Sequence, residues 1–286
     1  MGKLRIGFLV ESYGPGSTSR MPVVMRALAE AGVLVEVIHP KGRLTDLAAV
    51  RVEHDLYVLK RRGELNMSLA GALHALGAAI VNPYPATVAL GDKLITASIL
   101  RAAGIPAPAS YVASRPEDLS PLLESGPLIL KPYRGGGGRG IRVVHNPLEL
   151  AAVPPRDEPV FAQRYHDPEG RDRKMYVIGD RVFGVKKVFP ARTEAEKHGE
   201  PYVPSPELAD IARRCGRAFG IDLYGVDIIE SEGKPYVVDI QSLPGFKGVP
   251  DAPVHMAGCL YAAALRAAAG QAPGESRELR EAVCAT

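Results

Sequence analysis

Between two strand-like stretches, 128–131 and 141–144, the chain reads Gly-Gly-Gly-Gly-Arg-Gly over residues 135–140. The run satisfies G-x-G-x-x-G. The dinucleotide-binding use of that pattern, however, needs a helix directly after the glycines, whose N-terminus holds a pyrophosphate. Here Ile141-Arg142-Val143-Val144 follows, a strand pattern. No Lys-Ser/Thr pair closes the run, so a Walker-A loop is excluded as well. What remains is a glycine hairpin flanked by Lys131, Arg134 and Arg139. Such a hairpin suits a flap whose backbone N–H groups close over a triphosphate. Gly136, Gly137 and Gly138 are its candidate phosphate contacts, because glycine permits close backbone approach.

The segments on either side alternate between strand and helix. Strands are predicted at 4–10, 33–38, 55–59 and 78–81, with helices at 22–31 and 68–76. This order makes βαβ units and a parallel sheet. Asn82-Pro83-Tyr84-Pro85 breaks the chain, so a first domain is drawn at 1–85. A helix at 92–103 is stopped by Gly104-Ile105-Pro106 and opens a small subdomain at 86–155. A further subdomain, 156–270, takes a strand at 160–164, a hairpin over 174–187 turning at Gly179-Asp180, a helix at 206–219 ended by Gly220, an acidic hairpin and a helix at 253–269. Residues 271–286 form a tail. The fold class is α/β (α+β).

The acidic hairpin runs from 225 to 242 around Ser231-Glu232-Gly233-Lys234. Asp239 and Gln241 lie two apart and share a strand face. Folding the hairpin brings Asp227 opposite residue 238 or 239. Two carboxylates among Val and Ile repel each other and lose hydration, and a hard cation relieves both problems. Magnesium takes a few carboxylate oxygens together with phosphate and water, so Asp227, Asp239 and Gln241 are the candidate metal ligands.

Composition removes other function classes. A formal net charge of +3 does not argue for nucleic acid or an anionic membrane. No apolar run reaches the length of a bilayer span, and the short run 6–10 is a strand and not a signal-peptide core. Three scattered cysteines, Cys215, Cys259 and Cys284, read as reduced thiols. The cytoplasm is the expected location. The seven histidines show no metal spacing.

Taken in order, these motifs resemble the ATP-grasp superfamily, and the RimK-like carboxylate–amine ligases in particular. The resemblance spans about residues 1–260. It is carried by Asp92-Lys93-Leu94-Ile95-Thr96, by Leu130-Lys131-Pro132 with the glycine flap, by Val160-Phe161-Ala162-Gln163-Arg164-Tyr165, by Gly170-Arg171-Asp172 and by the acidic hairpin. It implies an ATP-grasp fold: an N-terminal βαβ pre-ATP-grasp domain and two subdomains clasping ATP. Lys93 and Lys131 match the family's phosphate-binding lysines. Gln163, Arg164 and Tyr165 fall on the strand whose backbone reads adenine, and Asp172 matches an aspartate that contacts the nucleotide. Lys187 falls where the family carries a basic residue. Asp227, Asp239 and Gln241 match the metal triad, although the family usually has Glu and Asn at the last two positions. The stretch from Asp239 to Pro250 is also similar to the corresponding end of inositol polyphosphate kinases, which share the fold.

The expected function is therefore an ATP-dependent ligase that activates a carboxylate as an acyl phosphate and joins it to an amine. ATP and Mg2+, with Mn2+ as a substitute, are the expected cofactors. Lys131 and Lys187 are the candidate catalytic residues. Loops at the carboxyl ends of the first-domain strands should select the substrates, as in open α/β sheets. That puts Ser17, Arg20 and Arg61 on the substrate side, with Lys247 after Pro244-Gly245. The partners are a small-molecule acid and amine, or a peptide, and a homo-oligomer is compatible. Two other readings stand beside this one: a kinase for a hydroxyl on a polyanionic acceptor such as an inositol phosphate, and a nucleotide-binding protein without catalysis.

Overall fold

The computed structural model describes residues 2–11, 13, 17–42, 44–60, 63–134, 140–154, 158–188 and 191–270. Gly136, Gly137, Gly138, Arg61 and the tail fall outside these residues.

The chain opens with β1 (Arg5–Leu9), α1 (Met21–Glu30), β2 (Leu34–Ile38), β3 (Leu56–Leu59), α2 (Glu64–Ala75) and β4 (Ile80–Val81). The four strands form one sheet in the order β2-β1-β3-β4, all parallel. Ile6, Phe8, Leu9 and every residue of β3 are buried, which is the near-continuous apolar run of a strand covered on both faces. Pro22 sits in the first turn of α1, where its missing N–H costs nothing.

The expected break at 82–85 is instead the entry to a short helix, α3 (Tyr84–Ala89), with Pro85 in its first turn. Then come α4 (Lys93–Ala102), β5 (Ser110–Ala113), a stretch of 3-10 turns (Pro116–Ser125), β6 (Leu128–Pro132), β7 (Arg142–Val144), α5 (Pro147–Ala151) and β8 (Val160–Arg164). Strands β5-β8-β6-β7 form a small antiparallel sheet. This moves the expected boundary at 155/156. Strand β8 pairs with β5 and β6, so it belongs to the small sheet and the boundary follows Arg164. Helix α4 shifts the other way. Its Leu100, with Ile105, packs into the core under the large sheet.

The remainder is β9 (Asp172–Ile178), β10 (Arg181–Lys187), α6 (Glu194–His198), β11 (Glu200–Tyr202), α7 (Pro206–Phe219), β12 (Leu223–Ser231), β13 (Lys234–Ser242) and α8 (Ala252–Ala268). The five strands form an antiparallel sheet, β11-β10-β9-β12-β13. Helix α7 is capped by Ser205 and closed by Gly220 in the left-handed region (φ 62°). Its Leu208, Ile211, Ala212, Cys215 and Phe219 cover one sheet face, made by Met175, Val177, Val226, Ile228, Val237 and Ile240. The opposite face is divided. At one end Tyr176, Ile178, Val185 and Leu223 join a core shared with β1, α1 and α8. At the other end it turns polar, and that end carries the candidate site.

Candidate active site

Strand alternation puts Asp172, Lys174 and Tyr176 of β9 on the divided face, because Arg173, Met175 and Val177 point the other way. In β12, Asp227 takes this face for the same reason, with Val226 and Ile228 in the α7 core. Strand β13 needs a device to match. Asp227 pairs with Asp239, but the next pair is Ile228 with Val237, so Val238 is an extra residue in the ladder. This β-bulge lets Val237 and Asp239 face opposite sides. Without it, period-two alternation would put Asp239 on the face that holds Val237, under α7.

The result is one row across three strands: Lys174, Asp227, Asp239, each the register partner of the next. The Lys174 ammonium lies 2.7 Å from Oδ1 and 2.8 Å from Oδ2 of Asp227. Gln241 donates from Nε2 to Oδ2 of Asp239 at 3.0 Å and to Oδ2 of Asp227 at 3.4 Å. Burial pushes the carboxyl of Asp227 up, and Asp239 adds repulsion, against the pull of Lys174. Asp172 is raised to about 6, by burial first and then by the charge of Asp227. All three expected metal ligands are therefore together. Two carboxylates and a carboxamide form an all-oxygen set of the kind that suits Mg2+ alongside phosphate oxygens and water, once Gln241 turns its amide oxygen inward. Among the described residues no cluster of three or more His, Cys, Asp or Glu forms a richer site.

The small sheet closes over this row. Leu128 and Leu130 of β6 point into its own core, so Lys131 points out, toward β13. Its ammonium donates to Oε1 of Gln163 at 2.6 Å and to the carbonyl of Val238 at 2.9 Å. The bulge thus has a second effect: it frees the carbonyl that receives Lys131. Gln163 is held in turn, donating to Oγ of Ser110 at 3.0 Å. Burial lowers the affinity of Lys131 for its proton, and Lys93 adds repulsion. The two expected phosphate lysines are therefore neighbours. Asp92 arranges this, since it caps α4 through Leu94 and Ile95 and accepts a hydrogen bond from the Tyr133 hydroxyl at 2.9 Å. The start of α4 is thereby tied to the end of β6.

The side chain of Arg164 has a structural task of its own. Its guanidinium donates to the carbonyls of Leu122, Gly126 and Pro127, fastening the 3-10 turns to β8, and its side chain does not enter the cleft. The Tyr165 hydroxyl donates to Asp167 at 3.1 Å.

Beside this row, Lys187 is the register partner of Asp172. It donates to the Tyr176 hydroxyl at 2.9 Å and to the Lys197 carbonyl at 2.6 Å. Burial and the nearby Lys174 bring its pKa down to about 8. Lys247 is ion-paired with Glu194, which also binds Lys197 at 3.2 Å. Arg20 donates to the Val249 carbonyl at 3.4 Å, and its charge is felt by Tyr176. Arg20, Tyr176, Lys187 and Lys247 thus belong to one neighbourhood. Ser17 stands apart, exposed, with its Oγ accepting from the Ser19 amide at 3.3 Å. Lys60, just before Arg61 in the chain, donates to the carbonyls of Leu243 and Pro244 and so fastens the first domain to the loop after β13.

Sequence reasoning missed Lys174, Tyr176 and Glu194. The first two were findable, since Asp172, Lys174 and Tyr176 follow period two from a residue already marked. Glu194 carries no such signal, because a non-local contact assigns its role.

A small antiparallel sheet clasped over a larger one, with lysines above and carboxylates below, is the ATP-grasp arrangement. The chain superposes on the RimK domain ATP-grasp protein of Sphaerobacter thermophilus with a TM-score of 0.72, covering 90% of this chain and 97% of that one at 20% identity. It superposes on the ATP complex of D-alanine–D-alanine ligase from Bacillus anthracis with a TM-score of 0.67, covering 93% and 98% at 19% identity. These likenesses establish the fold. The RimK-like ATP-grasp domain model matches residues 90–262, more than half of the chain, and the chain belongs to that family. A probable α-L-glutamate ligase of Xanthomonas campestris is 28% identical over 191 residues, which is 62% of this chain and 66% of the relative. The match thus spans just under two thirds of that relative's length.

Proposed function

We propose that this chain is an ATP-dependent carboxylate–amine ligase that works through an acyl phosphate. The observation that carries the reading is the meeting of two sheets over one row of charge: Lys131, with Lys93 beside it, above, and Asp227, Asp239 and Gln241 below, with Lys187 at the acceptor end. Membership of a family whose relatives are named as ligases supports it.

A substrate carboxylate oxygen attacks the γ-phosphorus of ATP, the bond to the β-phosphate oxygen breaks, and ADP leaves. The amine then attacks the acyl carbon. The tetrahedral intermediate expels phosphate and the nitrogen gives up a proton, leaving an amide. Phosphoryl transfer asks for positioning and charge more than for covalent chemistry. Lys93 and Lys131 hold the phosphates, and Gln163 and the Val238 carbonyl orient the Lys131 ammonium. Asp227, Asp239 and Gln241 are the residues that would hold Mg2+, which would neutralise phosphate charge there. Lys187, fixed by Tyr176, stands where charge develops on the acyl oxygen. Arg20 and Lys247 lie on the acceptor side. Two basic residues that could meet a polyphosphorylated acceptor have partners within the protein: Lys60 has two carbonyls and Lys247 has Glu194. No helix among the described residues is long and apolar enough to cross a membrane, and the cytoplasmic location remains part of the proposal.

The test is turnover of Mg·ATP with a pool of carboxylic acids and amino acids, with and without hydroxylamine, read by mass spectrometry. Hydroxamate formed together with ADP is expected, and its mass names the acid. Turnover that yields a phosphate ester and no hydroxamate would replace the ligase by a hydroxyl kinase.

A further inference from the structure

The ligase reading uses Asp227 as a metal ligand and leaves Lys174 without a task, yet Lys174 is the closest partner Asp227 has. Its side chain is 8% exposed and its ammonium contacts both carboxylate oxygens, at 2.7 and 2.8 Å. The Tyr176 ring lies 5.7 Å from that ammonium. Register fixes the pair: Lys174 and Asp227 are opposite one another on neighbouring strands at the middle of the sheet. Lys174 cannot withdraw toward solvent without leaving a buried charge unpaired. Asp227 is thus approached by Lys174 from the β9 side and by Gln241 from the β13 side. A divalent ion bound to Asp227 would meet an ammonium within a few ångströms in a half-buried site, where like charges repel strongly. Asp239 is placed otherwise. Its Oδ2 accepts from the Gln241 amide at 3.0 Å, and that amide can turn to present its oxygen.

We propose that the Lys174 ammonium occupies, as part of the protein, the place of one catalytic cation. The nucleotide site then takes a single divalent ion, held on the Asp239–Gln241 side. This rests on the nucleotide-binding part of the proposed function, adds the metal count, and reassigns Asp227 from metal ligand to partner of Lys174. Lys174 acts as a positioning residue, since it touches Asp227 and not the substrate. It fixes the Asp227 carboxylate in place, and Asp227 in turn anchors the Gln241 amide.

The test is equilibrium dialysis of the full chain against Mn2+ and AMPPNP, counting manganese and nucleotide retained per chain. One Mn2+ per bound nucleotide is expected for the wild type, and two for Lys174→Met, which uncovers Asp227. The double variant Lys174→Met with Asp227→Asn removes the ion pair without stranding a charge, and so guards against misfolding of the single variant. It is expected to retain one Mn2+. Asp239→Asn is expected to weaken Mn2+ binding by roughly 30-fold or more. Two Mn2+ in the wild type, one in Lys174→Met, or loss of the ion in the double variant would each overturn the proposal. Nucleotide and metal both failing to bind to the wild type would remove the nucleotide-site reading itself, an outcome distinct from a count of two.

Discussion

The ammonium of Lys131, on the small sheet, donates to the carbonyl of Val238, on the large sheet, at 2.9 Å. That carbonyl is free because Val238 is the extra residue of the bulge, so one irregularity in β13 both turns Asp239 into the site and receives the lysine that faces it. Gln163 completes the geometry by accepting from Lys131 at 2.6 Å. Lys131→Met should lower kcat/KM for ATP by about 10²–10³-fold, the usual loss when a preorganised charge is removed from a transition state. Gln163→Leu leaves the charge and removes its strut. It should cost roughly tenfold, mostly in KM for ATP, as a positioning residue does. Steady-state kinetics with varied ATP separates the two. A Gln163→Leu loss equal to that of Lys131→Met would mean that Gln163 touches the nucleotide itself.

Lys187 and Asp172, register partners on β10 and β9, carry opposite and informative shifts. Lys187 is depressed to about 8, so its charge is lost as pH rises through 8. If that charge stabilises the developing oxyanion, hydroxamate formation should fall above pH 8, and Lys187→Arg should move the limb to higher pH. The stability consequence has a definite sign. A depressed lysine gives stability that is present above the unfolded value of 10.5 and lost as pH falls through about 8, so Lys187→Met should raise Tm at pH 7 and cease to do so near pH 10.5. Asp172, raised to about 6, gives stability that is present below 3.8 and lost as pH rises through 6. Asp172→Asn should therefore raise Tm at pH 7 and have little effect at pH 4. Thermal scans at these pH values check both signs.

What the residues disclosed in advance follows the range of the interactions involved. The βαβ order, the stop at Gly220, and the pairing of Asp227 with 238 or 239 are local patterns, and the chain displays them. The bulge at Val238 is not local. Nothing in Tyr-Val-Val-Asp-Ile-Gln marks which residue is extra, because the choice is made by Val237 packing under α7 and Lys131 arriving from another sheet. The placement of β8 was hidden for the same reason. Val160 to Arg164 reads as a strand anywhere, and its membership of the small sheet is fixed by partners about 30 and 50 residues earlier in the chain. Arg164 sits in a motif, but its carbonyl partners lie in the 3-10 turns and just after them, where no periodicity announces them.

Glu194 holds Lys247 and Lys197, and Lys187 donates to the Lys197 carbonyl, so the short helix α6 gathers three lysines. If Lys247 receives the acid, as proposed, a carboxylate in that position competes with it. Glu194→Gln should lower KM for the acid by roughly twofold to fivefold while KM for ATP stays unchanged, since an exposed ion pair is worth little. Lys247→Met should raise KM for the acid by about tenfold or more, as loss of a charged partner to a substrate carboxylate does. Initial rates at varied acid and saturating ATP measure both. A change in KM for ATP of the same size would place Lys247 on the nucleotide side instead.

Asn82 joins the first domain to the large sheet by four hydrogen bonds from a fully buried side chain. Its Oδ1 accepts from the amides of Asp222 and Leu223 at 3.3 and 3.2 Å, and its Nδ2 donates to the Leu223 carbonyl at 2.7 Å and to Oγ of Ser242 at 3.0 Å. Ser242 follows Gln241 directly, so this weld also holds the end of the metal-side strand. Asn82→Ala strands buried backbone groups, at about 1–3 kcal/mol for each group left unpaired. A total loss of about 3 kcal/mol is expected, read as a lower denaturant midpoint at unchanged slope. Asn82→Asp keeps the acceptor but loses the donor and buries a charge, so it should cost at least as much. Ser242→Ala removes one contact of the four, to a hydroxyl that also has Thr87 beside it at 3.3 Å, and should cost about 1 kcal/mol. If Asn82→Ala cost as little as Ser242→Ala, the amides of Asp222 and Leu223 would have to find other acceptors, and the two domains would be held by apolar packing with the hydrogen bonds of Lys60 and Arg20.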